Sequence, residues 1–130
     1  MHKLIVINMI VIISVLLVAC GSATAPAAST SSTPVNIKVE TNPNPTVTGD
    51  AELILNITDG NGDPIEGATV DVSAEHTGHG GMAMNGVATE QGAGKYAINT
   101  NFSMSGVWKL TVYVRKEGLD YKQEIEIPVE

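Results

Sequence analysis

The segment Glu75-His76-Thr77-Gly78-His79-Gly80-Gly81-Met82-Ala83-Met84 concentrates the side chains of this sequence that could ligate a soft metal ion. It holds two of the three histidines and two of the five methionines. His2, Met1 and Met9 fall in an apolar N-terminal leader, which leaves Met104 as the one outlier. Thioethers are neutral, soft and weak ligands suited to Cu(I), and imidazole binds Cu(I), Cu(II) and Zn(II) alike. Methionine also persists in oxidising compartments, where free thiols pair as disulfides. His76, His79, Met82 and Met84 are therefore the candidate ligands, and Cu(I) is the cofactor that the mixture suits. The glycines at 78, 80 and 81 let the backbone fold back so that these side chains can converge. Met104 shares strand parity with Phe102 and could reach the same rim. The same residues also read as a plain connecting loop, with Met84 and Met104 filling gaps in a core.

Other chemistries find less support. Cys20 is the only cysteine, and the serines flanking Met104 have no histidine or carboxylate that the sequence places beside them, so no nucleophile–base pair emerges and a non-enzymatic protein is expected. Asp59, Asp63 and Glu66 lack the twelve-residue ligand order and closing bidentate glutamate of a calcium loop; Asx-turn chemistry accounts for them. Asn56-Ile57-Thr58 and Asn101-Phe102-Ser103 match the glycosylation sequon and are read as incidental.

The elements that must position the His/Met segment begin after the leader. Met1-His2-Lys3 is a short positive start, and Leu4 to Ala19 is interrupted only by Asn8 and Ser14, the pattern of a signal peptide. Leu17-Val18-Ala19-Cys20-Gly21 resembles the lipobox of bacterial lipoproteins, which implies cleavage before Cys20 and acylation of its thiol. Residues 1–19 are expected to be removed. Residues 20–34, small, polar and punctuated by proline, are expected to form a flexible tether of roughly 20 Å span. A single cysteine excludes an intrachain disulfide, so stability rests on the core. Loss of Lys3 moves the net charge from −7 to −8, with six basic residues against fourteen acidic ones. That balance argues against nucleic acid as a partner. The lipid on Cys20 makes the membrane itself a partner, on the extracytoplasmic side.

From Val35 to Glu130 the pattern has period two. Val35, Ile37 and Val39 share a face, as do Leu53, Leu55 and Ile57, then Val70, Val72 and Ala74. Ile98, Thr100 and Phe102 follow, then Trp108, Leu110, Val112 and Val114, and finally Ile125, Ile127 and Val129. Such alternation makes half-buried strands. Asn42-Pro-Asn-Pro45, Asp59-Gly-Asn-Gly-Asp-Pro64 and Gly92-Ala-Gly94 supply turns between them. About seven short strands in roughly a hundred residues predict an all-β, immunoglobulin-like antiparallel sandwich. Parity puts His76 on the inward face of Val70, Val72 and Ala74, at the rim of the sandwich. Trp108, the only tryptophan, is expected to anchor the core against the facing layer.

The residues Asp59-Gly60-Asn61-Gly62-Asp63-Pro64-Ile65-Glu66-Gly67-Ala68, the Met/His/Gly-rich crossover, Gly94-Lys95-Tyr96, Phe102-Ser103-Met104-Ser105-Gly106 and Val107-Trp108-Lys109-Leu110-Thr111-Val112 resemble the YtkA-like and FixH-like families of extracytoplasmic domains. The resemblance runs from about Pro45 to Glu130. It implies an immunoglobulin-like fold outside the cytoplasm and, by association, copper trafficking or the assembly of copper-requiring respiratory oxidases. The family's Met/His-rich crossover falls on His76, His79, Met82 and Met84. The chain differs from FixH-type proteins in using lipid in place of a permanent transmembrane helix, and it lacks the widely spaced His and Met pattern of periplasmic copper-A chaperones. Two functions are thus expected from different classes. One is a membrane-anchored Cu(I) protein serving a copper-requiring envelope protein; the other is a metal-free module docking another envelope protein.

Overall fold

A computed structural model describes residues 34–130 apart from Met82. The leader, Cys20 and the expected tether as far as residue 33 lie outside the described residues, as does Met82. Seven strands follow one another: β1 (Val35–Asn42), β2 (Gly49–Asp59), β3 (Thr69–His76), β4 (Ala83–Gly92), β5 (Lys95–Phe102), β6 (Gly106–Lys116) and β7 (Leu119–Val129). Every pairing is antiparallel, in the order β1-β2-β5-β4-β3-β6-β7. In a constant-type immunoglobulin sandwich the first, second, fifth and fourth strands form one sheet, and the third, sixth and seventh the other. The order here is that arrangement with one change: β4 belongs to both sheets. Its first half pairs with β3 from Glu75↔Ala83 to Val70↔Ala88, and its second half pairs with β5 from Thr89↔Ala97, with a register shift between Glu90 and Gly92. The two layers are therefore one continuous sheet that nearly closes on itself. On the open side, Thr48 N–H donates to Glu130 O and Glu130 N–H donates to Thr46 O, both at 2.9 Å.

The alternation read in the sequence becomes burial. Leu53, Leu55 and Ile57 of β2, Val70 and Val72 of β3, and Leu110, Val112 and Val114 of β6 all point inward and are buried. Each such side chain stabilises the fold by about 1.5–3 kcal/mol relative to exposure. Trp108 meets the facing layer as expected: its ring stands edge-on to Phe102 of β5 at 5.3 Å between centroids. The strand that alternation does not reveal is β4. Most of Ala83–Gly92 is exposed, and only Ala88 is buried, because a strand that crosses between layers has no long face to cover.

The two ends of the sandwich differ. One end carries Val35, the Asp59–Thr69 crossover, the Gly92–Lys95 turn and the Lys116–Leu119 turn. There Asp59 Oδ1 accepts from the amides of Asn61 at 2.8 Å and Asp63 at 3.0 Å, the Asx-turn use of that carboxylate. Tyr96 lies fully buried beneath this crossover; its hydroxyl donates to Ile65 O at 2.8 Å and accepts from Ala68 N–H at 3.1 Å. Burial pushes the phenol above its ordinary pKa, helped by the negative charges of Glu90 and Glu66 and opposed by the Ala68 amide. The other end carries the Asn42–Gly49 loop, the Phe102–Gly106 loop, Glu130 and the segment after His76.

Candidate metal site

His76 is the last residue of β3, directly opposite Trp108 in the ladder to β6. Strand parity turns its ring inward, and only 7% of the residue is exposed. The rim position expected from the sequence is thus the one it occupies. The indole of Trp108 stands perpendicular to the imidazole at 5.3 Å between centroids, and is itself held by Nε1–H donating to Met104 O at 3.1 Å. Gly106 makes the space. It has a φ of +128°, and a Cβ there would lie 2.5 Å from His76 Nε2. The G-x-W spacing in Gly106-Val107-Trp108 therefore builds the seat of His76: the glycine clears room for the ring and the tryptophan backs it.

Both nitrogens of His76 have partners. Gly78 N–H donates to Nδ1 at 3.0 Å, and Nε2 lies 3.1 Å from the carbonyl oxygen of Ser105. An amide can only donate, so Nδ1 is the acceptor and the ring proton sits on Nε2, pointing at Ser105 O. Nδ1 is accordingly the one lone pair on this ring that a metal could take. Thr77 continues the fastening, with its amide and its hydroxyl donating to Val107 O at 3.0 and 2.9 Å.

His79 is exposed and lies three residues further on, yet its ring returns to His76. The centroids are 5.2 Å apart with the planes tilted by 59°. With metal–nitrogen distances of about 2.0–2.1 Å, two imidazoles on one tetrahedral ion stand roughly 5 Å apart at their centres. Gly78, between them, leaves room for this approach, since a Cβ there would lie 3.2 Å from His76 Cε1, and the chain leaves the turn through Gly81 at a φ of +94°. Beside the rings, a cleft of about 250 Å³ is lined by Glu75, His76, Thr77, Gly80 and Lys109. The Lys109 ammonium and the Glu75 carboxylate face each other across it at 3.9 Å.

The methionines are placed differently. Met84 lies opposite Ala74 in the β3–β4 ladder, half-buried against the core, and its sulfur accepts a hydrogen bond from the Thr100 hydroxyl of β5. Met104 is also half-buried against the core, while its carbonyl holds Trp108. The structure therefore joins His76 to His79, turns the Met84 sulfur between the layers, and does not describe Met82. Among the described residues, no group of three or more His, Cys, Asp or Glu side chains is placed to hold a metal. A site built on these two histidines needs other donors. Sequence reasoning missed the parts that seat His76, namely Gly106, Trp108 and the Ser105 carbonyl, although the G-x-W spacing was the signal that carried them.

The YtkA-like family profile matches residues 29–113, which spans β1 to β5, the whole His/Met segment and β6 as far as Tyr113. The chain belongs to the YtkA-like family. No curated protein and no solved structure matches it.

Proposed function

We propose that this chain is a membrane-anchored extracytoplasmic protein that binds Cu(I) at the 76–84 segment, for storage or for delivery to a copper-requiring envelope protein. The observation that carries the reading is the convergence of His76 and His79 at 5.2 Å, one ring held by the fold and the other on an exposed glycine-rich turn. Thioethers complete such a donor set without adding charge, and Met82 and Met84 are the nearest in sequence; Met84 joins by leaving Thr100. Weak thioethers exchange readily, so metal would pass to a recipient by stepwise ligand replacement, with no covalent chemistry by this chain. Val35, the first residue of β1, lies at the end of the sandwich opposite His76, so the two histidines share the other rim.

Anaerobic titration of the full-length chain in detergent with Cu(I), against a chromophoric chelator and with Zn(II) in parallel, tests this. Near-stoichiometric Cu(I) uptake, lost on joint substitution of His76 and His79 by Ala, is the expected result. Failure to compete for Cu(I) at any level would retire it. The second reading, a metal-free docking module, is favoured by the outer face of the β4-β3-β6 sheet, where exposed Val87 and Tyr113 flank the Asp71–Arg115 ion pair.

A further inference from the structure

His76 is seated from three sides: Ser105 O holds Nε2–H, Trp108 backs the ring, and the missing Cβ of Gly106 leaves no spare volume behind it. The ring cannot flip to offer Nε2 outward without losing the Ser105 bond and turning its unprotonated nitrogen toward a carbonyl oxygen. The remaining nitrogen, Nδ1, accepts from Gly78 N–H. One sp² lone pair cannot serve an amide proton and a metal ion together. The amide that competes for it belongs to the residue next to His79, whose ring faces His76.

Resting on the Cu(I) reading above, we propose that the site is self-capped: the Gly78 amide and a Cu(I) ion compete for His76 Nδ1, so metal uptake and release of the turn from Gly78 to Gly81 are one event, with Thr77 staying fastened to Val107 O. With the cap on, the turn is tied to the sandwich through His76 Nδ1 and through Thr77 to Val107 O. With Nδ1 on the metal, Gly78 N–H faces solvent and the glycines at 80 and 81 are free to re-form around the ion. The turn therefore has two arrangements, and metal occupancy selects between them. A recipient that recognised the released turn would engage the loaded protein in preference to the unloaded one.

The experiment is ¹⁵N NMR of the full-length chain in detergent micelles, titrated with Ag(I) as a diamagnetic stand-in for Cu(I). Long-range imidazole ¹⁵N spectra report the tautomer of each histidine, and amide exchange reports the Gly78 bond. Without metal, His76 should show the Nε2–H tautomer and Gly78 N–H should be protected from exchange. On addition of Ag(I), His76 Nδ1, the His79 ring and Gly78 N–H should change at one common midpoint, with Gly78 exchange accelerating at least tenfold. If His79 and the methionine methyls respond while His76 Nδ1 and Gly78 stay as they were, the cap is refuted and the metal reading stands. If no histidine responds to excess Ag(I), the metal reading fails and the cap falls with it.

Discussion

The same three-residue device, a glycine followed two positions later by a large aromatic, is used at both ends of this sandwich for opposite purposes. At the Val35 end, Gly94 at φ +71° leaves space for backbone: a Cβ would lie 2.5 Å from Ile57 O and 2.9 Å from Pro64 Cβ. Tyr96 then satisfies Ile65 O and Ala68 N–H, so the polar groups of the crossover are closed off by the protein itself. At the other end, Gly106 leaves space for a side chain, and what fills it is an imidazole with one nitrogen fastened inward and the other turned to a neighbouring amide. The first end is finished as structure. The second is a mount for an imidazole whose remaining lone pair faces only a loop amide, and the metal site proposed above rests on that difference between the two ends.

The sharpest way to break the comparison is to fill both glycines. Gly94→Ala meets backbone and a proline in a left-handed conformation and should cost about 3–5 kcal/mol by urea denaturation, with no second substitution able to relieve it. Gly106→Ala should also destabilise, but about 1–3 kcal/mol of its cost should vanish in a His76→Ala background, because the atom it strikes is gone. Strict additivity of the two substitutions would mean that Gly106 does not seat His76.

Tyr96→Phe tests the finished end. Leaving the Ile65 carbonyl and Ala68 amide without the hydroxyl should cost about 1–3 kcal/mol. It should also change the alkaline limb of stability. The folded-state pKa of Tyr96 is raised, so its contribution is fully present below the unfolded tyrosine pKa of about 10 and is lost as pH rises through the higher folded value. Thermal melts from pH 8 to 11 should show a steeper alkaline decline for the wild type than for Tyr96→Phe.

His79→Ala sharpens the other side. An exposed ring on a turn should leave stability within about 0.5 kcal/mol while Cu(I) affinity, read by chelator competition, falls at least roughly tenfold. The smallest effect belongs to neither end. Lys122 and Glu124 form an exposed pair at 3.1 Å on β7; the lysine lowers the glutamate's pKa and is itself raised by it. Lys122→Gln should leave the urea midpoint unchanged, as exposed pairs of this kind do.

Much of this was legible along the chain. The inward faces of β2, β3 and β6 follow from alternation alone, since a strand buried on one side must repeat every two residues. His76 follows from the same parity, and the Asx use of Asp59 follows from turn chemistry. Strand β4 was not legible, because it moves from one layer to the other and shows no continuous apolar face. The roles of Gly106 and Trp108 were only half legible: the G-x-W spacing marks the pair, but their contact with His76 joins β6 to β3 across about thirty positions of sequence, and the spacing does not name that partner.

The sequence by itself determined the class of fold, the parity of each buried residue and the gathering of histidine and methionine in one glycine-rich segment, because these depend on side-chain type and on the period of an extended backbone. Only the tertiary structure decided which of those groups can act together. It set His76 between Ser105, Trp108 and Gly106, brought the His79 ring back to it, and turned the Met84 sulfur to Thr100, because each of these placements depends on strands distant in sequence meeting in one ladder and one core.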